Sequence, residues 1–146
     1  MPEAPAIRTE EEVMFFDTDC GGVVHNLAYL RFIETARTRL AARLGLEVVE
    51  MAQEGEFPAL LRTEIDYRKP ARLGDKLCVE GQLESFEGVR FWCGFRILRP
   101  ADGEVLVESR QQLALIRLPA GRPMRLPAAW AETYPELEAK GGQQSD

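Results

Sequence analysis

Two acidic residues, a pair of glycines and the only histidine of the chain lie within the short segment 17–26. The acids are Asp17 and Asp19, and the histidine is His25. An apolar, strand-like segment precedes this stretch, and a strongly helical pattern follows it. The first turn of a helix offers N–H groups without intrahelical partners and a partial positive charge. A carboxylate that faces such donors across a small gap can act on a carbonyl group, so the segment indicates carbonyl chemistry by a carboxylate.

Each of these residues also has a structural interpretation that the spacing leaves open. Asp17 and Asp19 flank a turn, where acids commonly accept backbone N–H groups. His25 fits a packed or capping residue, and Asn26 is a favourable N-cap for the helix that follows. Cys20 is a candidate nucleophile, but the chain has no second histidine to activate it, and a neighbouring carboxylate raises the pKa of a thiol. The spacing favours a carboxylate over the thiol.

The sequence lacks the patterns of other catalytic machinery. With one histidine and neither His-Glu-x-x-His nor Cys-x-x-Cys spacing, we expect no metal site. The three serines, Ser85, Ser109 and Ser145, are far along the chain from His25, which argues against a serine triad. Neither a Walker-type loop nor a Gly-x-Gly-x-x-Gly motif is present, so we expect no nucleotide cofactor. Carboxylate chemistry is what these exclusions leave.

A group of basic residues along and just after one predicted strand is a second candidate site. Its members are Arg62, Arg68, Lys69 and Arg72. One interpretation is a binding site for an anionic ligand, such as a phosphate-bearing small molecule. The other is a solvent-exposed sheet face on which Glu64 and Asp66 neutralise the basic side chains. The sequence supports the two interpretations about equally.

The composition bounds the class of protein. With 146 residues, 45% apolar and 29% charged, the chain predicts one globular, soluble domain over residues 1–146, flexible at 1–8 and 140–146. The net charge of −6 argues against binding nucleic acid or an anionic membrane over the whole surface. No apolar run approaches the ~18 residues of a membrane-spanning helix, and the first residues lack a signal-peptide pattern. Three widely spaced cysteines predict a cytoplasmic location without disulfides.

One dominant helix is expected near the start of the chain. An apolar run at residues 12–16 predicts the first strand. Apolar residues at helical spacing predict the main helix over residues 27–44, with Asn26 as its cap and Gly45 as its end. Its polar side is assigned to Arg31, Arg37, Arg39 and Arg43. The wide apolar face indicates that a sheet curves around this helix.

After a short helix or loop at residues 51–56, the pattern changes to a period of two. Four successive strands follow over residues 61–118, with hairpin turns at Glu87-Gly88 and Asp102-Gly103. Short turns between consecutive strands predict a mainly antiparallel sheet. A short helical pattern near residues 128–139 follows the last strand. The order of elements predicts an α+β fold, a curved antiparallel sheet around one helix.

The segment 16–37 resembles the opening of the hotdog-fold acyl-CoA thioesterases. It is most similar to the 4-hydroxybenzoyl-CoA thioesterase branch, which includes the thioesterase associated with the Tol–Pal system. The residues that carry the resemblance are Asp-Thr-Asp-Cys-Gly-Gly-Val-Val and the helix that follows them. A second stretch at 63–75, Thr-Glu-Ile-Asp-Tyr-Arg-Lys-Pro-Ala-Arg-Leu-Gly-Asp, is similar to the same branch. The resemblance implies a hotdog fold, in which a curved five-stranded antiparallel sheet wraps one long central helix.

The resemblance also implies roles for individual residues. In this branch the acid of an Asp-x-x-Gly segment does the chemistry, and Asp19 occupies that position, whereas Asp17 matches an upstream acid that is not catalytic. The backbone N–H at or next to Asn26 is implied to polarise a thioester carbonyl. We expect the substrate to contact Gly22, Val24, His25, Asn26 and Tyr29, and its CoA phosphates to contact Arg62, Arg68, Lys69 or Arg72. The implied substrate is an acyl-CoA, with CoA as part of the substrate and no separate cofactor.

Several alternatives stay open at this point. Asp19 either attacks the thioester, which gives a mixed anhydride, or activates water as a general base. A different class of function is a hotdog module that binds an acyl thioester without hydrolysing it. Its motivation is the order His25-Asn26, where many relatives have an aromatic residue and then a histidine. A hotdog dehydratase is a weaker alternative, because no histidine is placed for that chemistry.

The predicted sheet has consequences for assembly. One helix against a five-stranded sheet leaves two open strand edges, which tend to pair with other strands. Pairing between two copies closes one edge of each, and the resemblance implies such pairing. We therefore expect a homodimer or a homotetramer. The acyl group of the substrate stays open between aromatic, short aliphatic and long aliphatic classes.

Overall fold

The computed structural model describes residues 6–19 and 21–139, which form one curved sheet around a long helix. The strands are β1 (Ala6–Glu12), β2 (Glu56–Tyr67), β3 (Lys76–Glu87), β4 (Arg90–Arg99), β5 (Glu104–Arg117) and β6 (Arg122–Pro123). The helices are α1 (Asn26–Arg43), α2 (Val48–Gln53) and α3 (Ala128–Thr133), with 3-10 turns at Phe15–Asp17 and Pro135–Leu137. Helix α2 overlaps the short helix predicted at 51–56. None of the helices in these residues has the length and apolarity needed to cross a membrane.

Five long strands pair antiparallel in the order β1-β3-β4-β5-β2. The two-residue strand β6 pairs with the end of β5, beyond the part of β5 that β4 covers. The hairpin turns between β3, β4 and β5 lie where the sequence predicts them. The predicted α+β architecture is therefore confirmed, with β6 as an addition. Strands β1 and β2 form the two edges of the sheet.

The core lies between α1 and the concave face of the sheet. Phe32, Ile33 and Leu40 of α1 are fully buried. They belong to one cluster with sheet residues such as Leu83 and Ile97. Burying one side chain of this size contributes about 1.5–3 kcal/mol, so the apolar stripe is what holds α1 against the sheet.

Helix α3 closes one end of this core. Trp130 is 2% exposed and packs edge-on against Phe86 and Phe91, at ring-centroid distances of 5.5 and 5.2 Å. Its indole N–H donates to the carbonyl of Leu44 at 2.8 Å. This bond ties the C-terminal part of the fold to the end of α1, and the predicted helical pattern near 128–139 is confirmed.

The apolar run at residues 13–16 is not the first strand, and that prediction is wrong. Strand β1 ends at Glu12, and the run leads into the 3-10 turn. The carboxylate of Asp17 accepts the N–H of Met14 at 2.9 Å and closes this turn. The chain therefore leaves the sheet at the point where the apolar pattern begins.

Strand β1 is an edge strand whose residues alternate between exposed and half-buried positions. Its sequence, Ala-Ile-Arg-Thr-Glu-Glu-Glu, has one large apolar residue, so its periodic pattern is weak. It pairs with β3 over its whole length. Residues 6–8 are part of this ladder, which corrects the expectation that they are flexible. The other ends expected to be flexible, 1–5 and 140–146, lie outside the described residues.

Helix α1 begins one residue earlier than predicted and has a different cap. Its N-cap is His25, whose Nδ1 accepts the N–H of Ala28 at 3.2 Å. Asn26 is the first helical residue, so its prediction as the cap is wrong. The extended backbone of His25, with φ −81° and ψ 159°, is what brings the imidazole to the helix end. Gly45 follows the helix as predicted and has a φ of 89°.

Candidate active site

A tight hairpin, the Asp19 turn (residues 18–19 and 21–24), leads directly into α1. The N–H of Asp19 donates to the carbonyl of Val23 at 3.0 Å, and the N–H of Gly22 donates to the carbonyl of Asp19 at 3.0 Å. Gly22 has a φ of 78°, which glycine adopts at little cost. The Asp19 turn therefore depends on glycine at this position.

The side chain of Asp19 is exposed, and one of its oxygens is held by the turn. Its Oδ1 accepts the N–H of Gly21 at 2.8 Å, while Oδ2 meets no donor within the described residues. A Cβ atom on Gly21 would lie 3.3 Å from Oδ1, so glycine permits this close approach. The carboxylate is thus oriented through one oxygen and presents the other to solvent. Cys20, the alternative nucleophile, lies outside the described residues.

The start of α1 supplies the hydrogen-bond donors that the sequence predicts. Within the described parts of the chain, the N–H groups of Asn26 and Leu27 have no acceptor. Both residues are exposed. The N–H of His25, in contrast, donates to the carbonyl of Asp17 at 3.0 Å. Two free donors and the positive end of the helix dipole therefore follow the Asp19 turn, where they can stabilise an oxyanion.

His25 has the capping role that the sequence left open. Because Nδ1 is an acceptor, the proton of the neutral imidazole lies on Nε2. The ring is only partly buried. A contact between Nε2 and a substrate stays a prediction.

The second motif of the resemblance packs directly on the first. The N–H of Val24 donates to the carbonyl of Ala71 at 2.9 Å. The N–H of Ala71 donates in turn to the hydroxyl oxygen of Tyr29 at 2.9 Å. Burial raises the pKa of the Tyr29 phenol, which keeps it protonated. The structure thus brings together four predicted residues, which are Gly22, Val24, Tyr29 and Arg72.

The four basic residues of the candidate anion site fall into two groups. Three of them form ion pairs, which are Arg62 with Glu64 at 3.2 Å, Arg68 with Glu108 at 2.8 Å and Lys69 with Glu104 at 2.9 Å. These pairs favour the solvent-exposed-face interpretation for the three residues. Arg72 instead forms a β-bridge with Val23 of the Asp19 turn, and its guanidinium has no acid partner in the described ranges. Only Arg72 therefore combines proximity to the turn with an available charge.

A cavity of about 140 Å³ between α1 and the first residues of β2 is a feature that sequence reasoning missed. Its walls are largely apolar, but Arg37 of α1 lines it. The Nη1 of Arg37 donates to Oε1 of Gln111 at 2.5 Å, and Gln111 is 2% exposed. Burial lowers the pKa of Arg37. The assignment of Arg37 to the polar side of the helix is thus wrong. Arg37 lies four residues after Ile33, and this spacing was the signal that places it on the same, buried face of the helix.

A broad depression of about 950 Å³ lies on the outer face of the sheet and includes no residue of the Asp19 turn. Its charges are largely paired, as in Arg110 with Glu84 and Arg96 with Glu80, both at 2.8 Å. Among the residues that the structure describes, no group of three or more His, Cys, Asp or Glu side chains could hold a metal ion.

Known proteins are similar to this chain in both sequence and fold. Residues 13–134 match the Thioesterase-like superfamily. The acyl-CoA thioesterase YbgC of Haemophilus influenzae is 30% identical over 116 residues, which cover 79% of this chain and 84% of that protein. The 1,4-dihydroxy-2-naphthoyl-CoA hydrolase of Synechocystis is 26% identical over 130 residues, which cover 88% of this chain and 94% of that protein.

A solved structure extends the agreement to three dimensions. The crystal structure of Slr0204, a 1,4-dihydroxy-2-naphthoyl-CoA thioesterase from Synechocystis, matches with a TM-score of 0.79 and 25% identity. The match covers 90% of this chain and 97% of that chain. The predicted hotdog thioesterase fold is confirmed, and the chain belongs to the Thioesterase-like superfamily.

Proposed function

We propose that this protein hydrolyses an acyl-CoA thioester to a free acid and CoA, with Asp19 as the catalytic carboxylate. The observation that carries the proposal is the exposed Asp19 carboxylate, held by one oxygen in a turn that leads into the free N–H donors of α1. Hydrolysis of CoA thioesters is the activity that the names of its relatives state. The enzyme is thus a thioester hydrolase.

The start of α1 supplies the electrostatic part of the mechanism. The thioester carbonyl oxygen accepts the N–H of Asn26, with the N–H of Leu27 as a second available donor. Charge develops on that oxygen as the carbonyl carbon is attacked, and the fixed donors and the helix dipole stabilise it. Removing one such donor costs about 3–4 kcal/mol of transition-state stabilisation in other enzymes. The cap formed by His25 keeps the first turn in place.

Asp19 acts by one of two routes. In the first, its carboxylate attacks the carbonyl carbon, the C–S bond breaks with departure of CoA thiolate, and water hydrolyses the mixed anhydride. In the second, the carboxylate takes a proton from a water molecule whose oxygen attacks the carbonyl carbon. The thiolate leaves without much acid assistance, because a simple thiol has a pKa of about 8.5. If the reaction is quenched rapidly with acid, peptide mass spectrometry should show the Asp19 peptide with the added mass of the acyl group when the first route is followed.

The substrate contacts follow from the neighbours of the Asp19 turn. The residues proposed to contact the thioester and its acyl group are Gly22, Val24, His25, Asn26 and Tyr29. Arg72 is the proposed ligand of the CoA phosphates, since its charge is available beside the turn. The other candidate phosphate ligands, Arg62, Arg68 and Lys69, would have to exchange their acid partners for a phosphate.

The branch within the superfamily is a finer proposal. We place the chain in the 4-hydroxybenzoyl-CoA thioesterase branch, which includes the Tol–Pal-associated thioesterases. The Asp-Thr-Asp-Cys-Gly-Gly segment supports this placement, and one relative named for an aromatic CoA ester is consistent with it. A panel of aromatic, short-chain and long-chain CoA esters identifies the acyl group.

Assembly through a sheet edge is also proposed. Leu60 and Leu61 of the edge strand β2 are 48% and 47% exposed, and pairing with a second copy would cover them. We expect a homodimer or a homotetramer by sedimentation velocity at micromolar concentration, and a monomer would contradict this.

A cytoplasmic location is proposed from the cysteines, of which Cys78 and Cys93 are free and buried.

The first test is thiol release from the CoA-ester panel by the wild type and by Asp19→Asn. We expect kcat to fall by about 10²–10⁴ in Asp19→Asn. Asp66→Asn is the matched control, because Asp66 is an exposed acid of β2, and it should retain wild-type kcat. Undiminished hydrolysis by Asp19→Asn would contradict the proposal. Saturable CoA-ester binding without turnover by the wild type would favour the non-catalytic binding module.

A further inference from the structure

Asp17 is a buried carboxylate that joins three parts of the candidate site. It is 2% exposed. Its Oδ2 accepts the N–H of Met14 at 2.9 Å, and its Oδ1 lies 3.6 Å from Nη2 of Arg31 in the second turn of α1. Its backbone carbonyl accepts the N–H of His25 at 3.0 Å. One residue therefore connects the 3-10 turn, the body of α1 and the cap of that helix.

These contacts close the Asp19 turn at both ends. The turn begins at Thr18, directly after Asp17, and returns at Val24, which faces Thr18 in an isolated β-bridge. The next residue, His25, is bonded to the carbonyl of Asp17. The position of the catalytic carboxylate relative to the N–H donors of α1 is therefore set through Asp17.

The charges around Asp17 come from two elements. Arg31 of α1 is half exposed, and its Nη2 lies 3.6 Å from Asp17 and 3.9 Å from Oε1 of Glu11 in β1. Burial raises the pKa of Glu11, and Arg31 counteracts this rise. A buried carboxylate needs a cation or several donors to offset its lost hydration, and Arg31 is the cation at this position.

We propose that Asp17 is a positioning residue for thioester hydrolysis, and that its ion pair with Arg31 holds the Asp19 turn in register with the start of α1. The inference rests on the proposed function of Asp19. Because Asp17 is 2% exposed, it does not touch the substrate and acts through the placement of Asp19. A displacement of about 1 Å between reacting groups can lower a rate by about 10²-fold, so this placement governs kcat.

The central variant is Asp17→Asn, which keeps the size of the side chain and an acceptor for Met14 but removes the charge. We expect kcat to fall by about 10- to 100-fold while KM changes by less than about threefold. Glu11→Gln makes the same chemical change on the other acid near Arg31, and its kcat should stay within about twofold of the wild type. Thermal unfolding of both variants measures stability separately from turnover.

Variants of Arg31 test the ion pair itself. Arg31→Gln should lower kcat at least as much as Asp17→Asn, and the double variant should be no slower than Arg31→Gln, because both changes remove one interaction. Arg31→Lys keeps the charge and should restore most of kcat. Arg31 is half exposed, so these variants decide the question even if Asp17→Asn does not fold.

Different outcomes overturn different statements. Wild-type kcat in Asp17→Asn with a lowered melting temperature would assign Asp17 a purely structural role. If the reductions in kcat caused by Asp17→Asn and Arg31→Gln multiply in the double variant, the two residues do not act as a pair. Either result, together with loss of turnover in Asp19→Asn, overturns the positioning role and keeps the proposed function. Absence of turnover by the wild type across the CoA-ester panel overturns both.

Discussion

The Nδ1 atom of His25 accepts the backbone N–H of Ala28 at 3.2 Å, so the only histidine of the chain is the N-cap of its central helix. The two N–H groups that follow it, on Asn26 and Leu27, are the proposed oxyanion donors. Histidine is not among the strongly preferred caps, and its ring uses one nitrogen for this bond. The cap therefore stabilises the helix and also fixes the positions of the N–H groups of Asn26 and Leu27. Of the two ring nitrogens, only Nε2 is left to contact a substrate.

Substitution of His25 separates these two roles. His25→Ala removes the cap and should lower the free energy of unfolding by about 0.5–2 kcal/mol, measured by urea denaturation. His25→Asn introduces a better capping side chain and should retain stability and kcat in the thiol-release assay, while KM rises because the proposed contact of the imidazole with the substrate is lost. Wild-type stability with a large loss of kcat in His25→Asn would instead assign Nε2 a direct part in the reaction.

The basic residues near the site are distinguished by their partners. Arg72→Gln should raise KM for an acyl-CoA by about two- to tenfold with little change in kcat, because a phosphate contact that is the same in the ground state and the transition state is uniform binding. Arg62→Gln is the matched control, since Arg62 already pairs with Glu64 at 3.2 Å. Its KM should change by less than about twofold. A larger rise in KM for Arg62→Gln than for Arg72→Gln would instead assign the phosphate site to β2.

Features with local sequence signals were predictable. Helix α1 repeats its apolar period over 18 residues, and the acid and glycines of the Asp19 turn are close neighbours in the chain. Strand β1 was missed because its half-exposed residues acquire their role only by pairing, as Thr9 does with Val79. An edge strand that is buried on neither face carries little periodic signal.

The missed parts of the site depend on residues that are distant in sequence. Arg37 and Gln111 are 74 positions apart. No local sequence pattern predicts that β5 will bring the buried amide of Gln111 to Arg37. The acids that pair with Arg68 and Lys69 likewise come from β5, where strand register decides which side chains meet. The cap of α1 was misassigned for a local reason, since asparagine outranks histidine as a cap in general.

Because the thiol of Cys93 is buried, we expect the free energy of unfolding to depend on pH. Burial raises its pKa to about 12 in the folded state, from 9.0 for an unperturbed thiol. The unfolded chain therefore loses this proton first as the pH rises above 9, which lowers the free energy of unfolding by up to about 1.4 kcal/mol per pH unit. Urea unfolding from pH 8 to 10.5 should show this decline, and Cys93→Ala should show a shallower one.

The reactivity of Cys93 gives an independent check. The side chain is 1% exposed, and the thiolate that alkylating reagents require is scarce at pH 8. Iodoacetamide should leave Cys93 unmodified in the native protein and modify it in urea, as measured by peptide mass spectrometry. Rapid native modification would contradict its burial between α1 and the sheet.

Gly22 and Gly103 form a matched pair of positions for testing the Asp19 turn. Their φ values are 78° and 72°, and an added Cβ atom would have no neighbour within 4 Å at either position. The cost of alanine at each is therefore the strain of the left-handed backbone, about 1–2 kcal/mol. Gly22 lies in the Asp19 turn, whereas Gly103 lies in the turn between β4 and β5.

The two alanine variants should lose similar stability and differ in activity. Gly22→Ala relieves its strain by shifting the turn, so the Asp19 carboxylate moves relative to the N–H donors of α1, and kcat should fall by at least about tenfold. Gly103→Ala should lose a similar free energy of unfolding and keep wild-type kcat. Urea unfolding and thiol release measured on the same preparations separate the two effects. Equal kcat values for both variants would mean that the turn tolerates displacement, and that the placement of Asp19 does not limit the reaction.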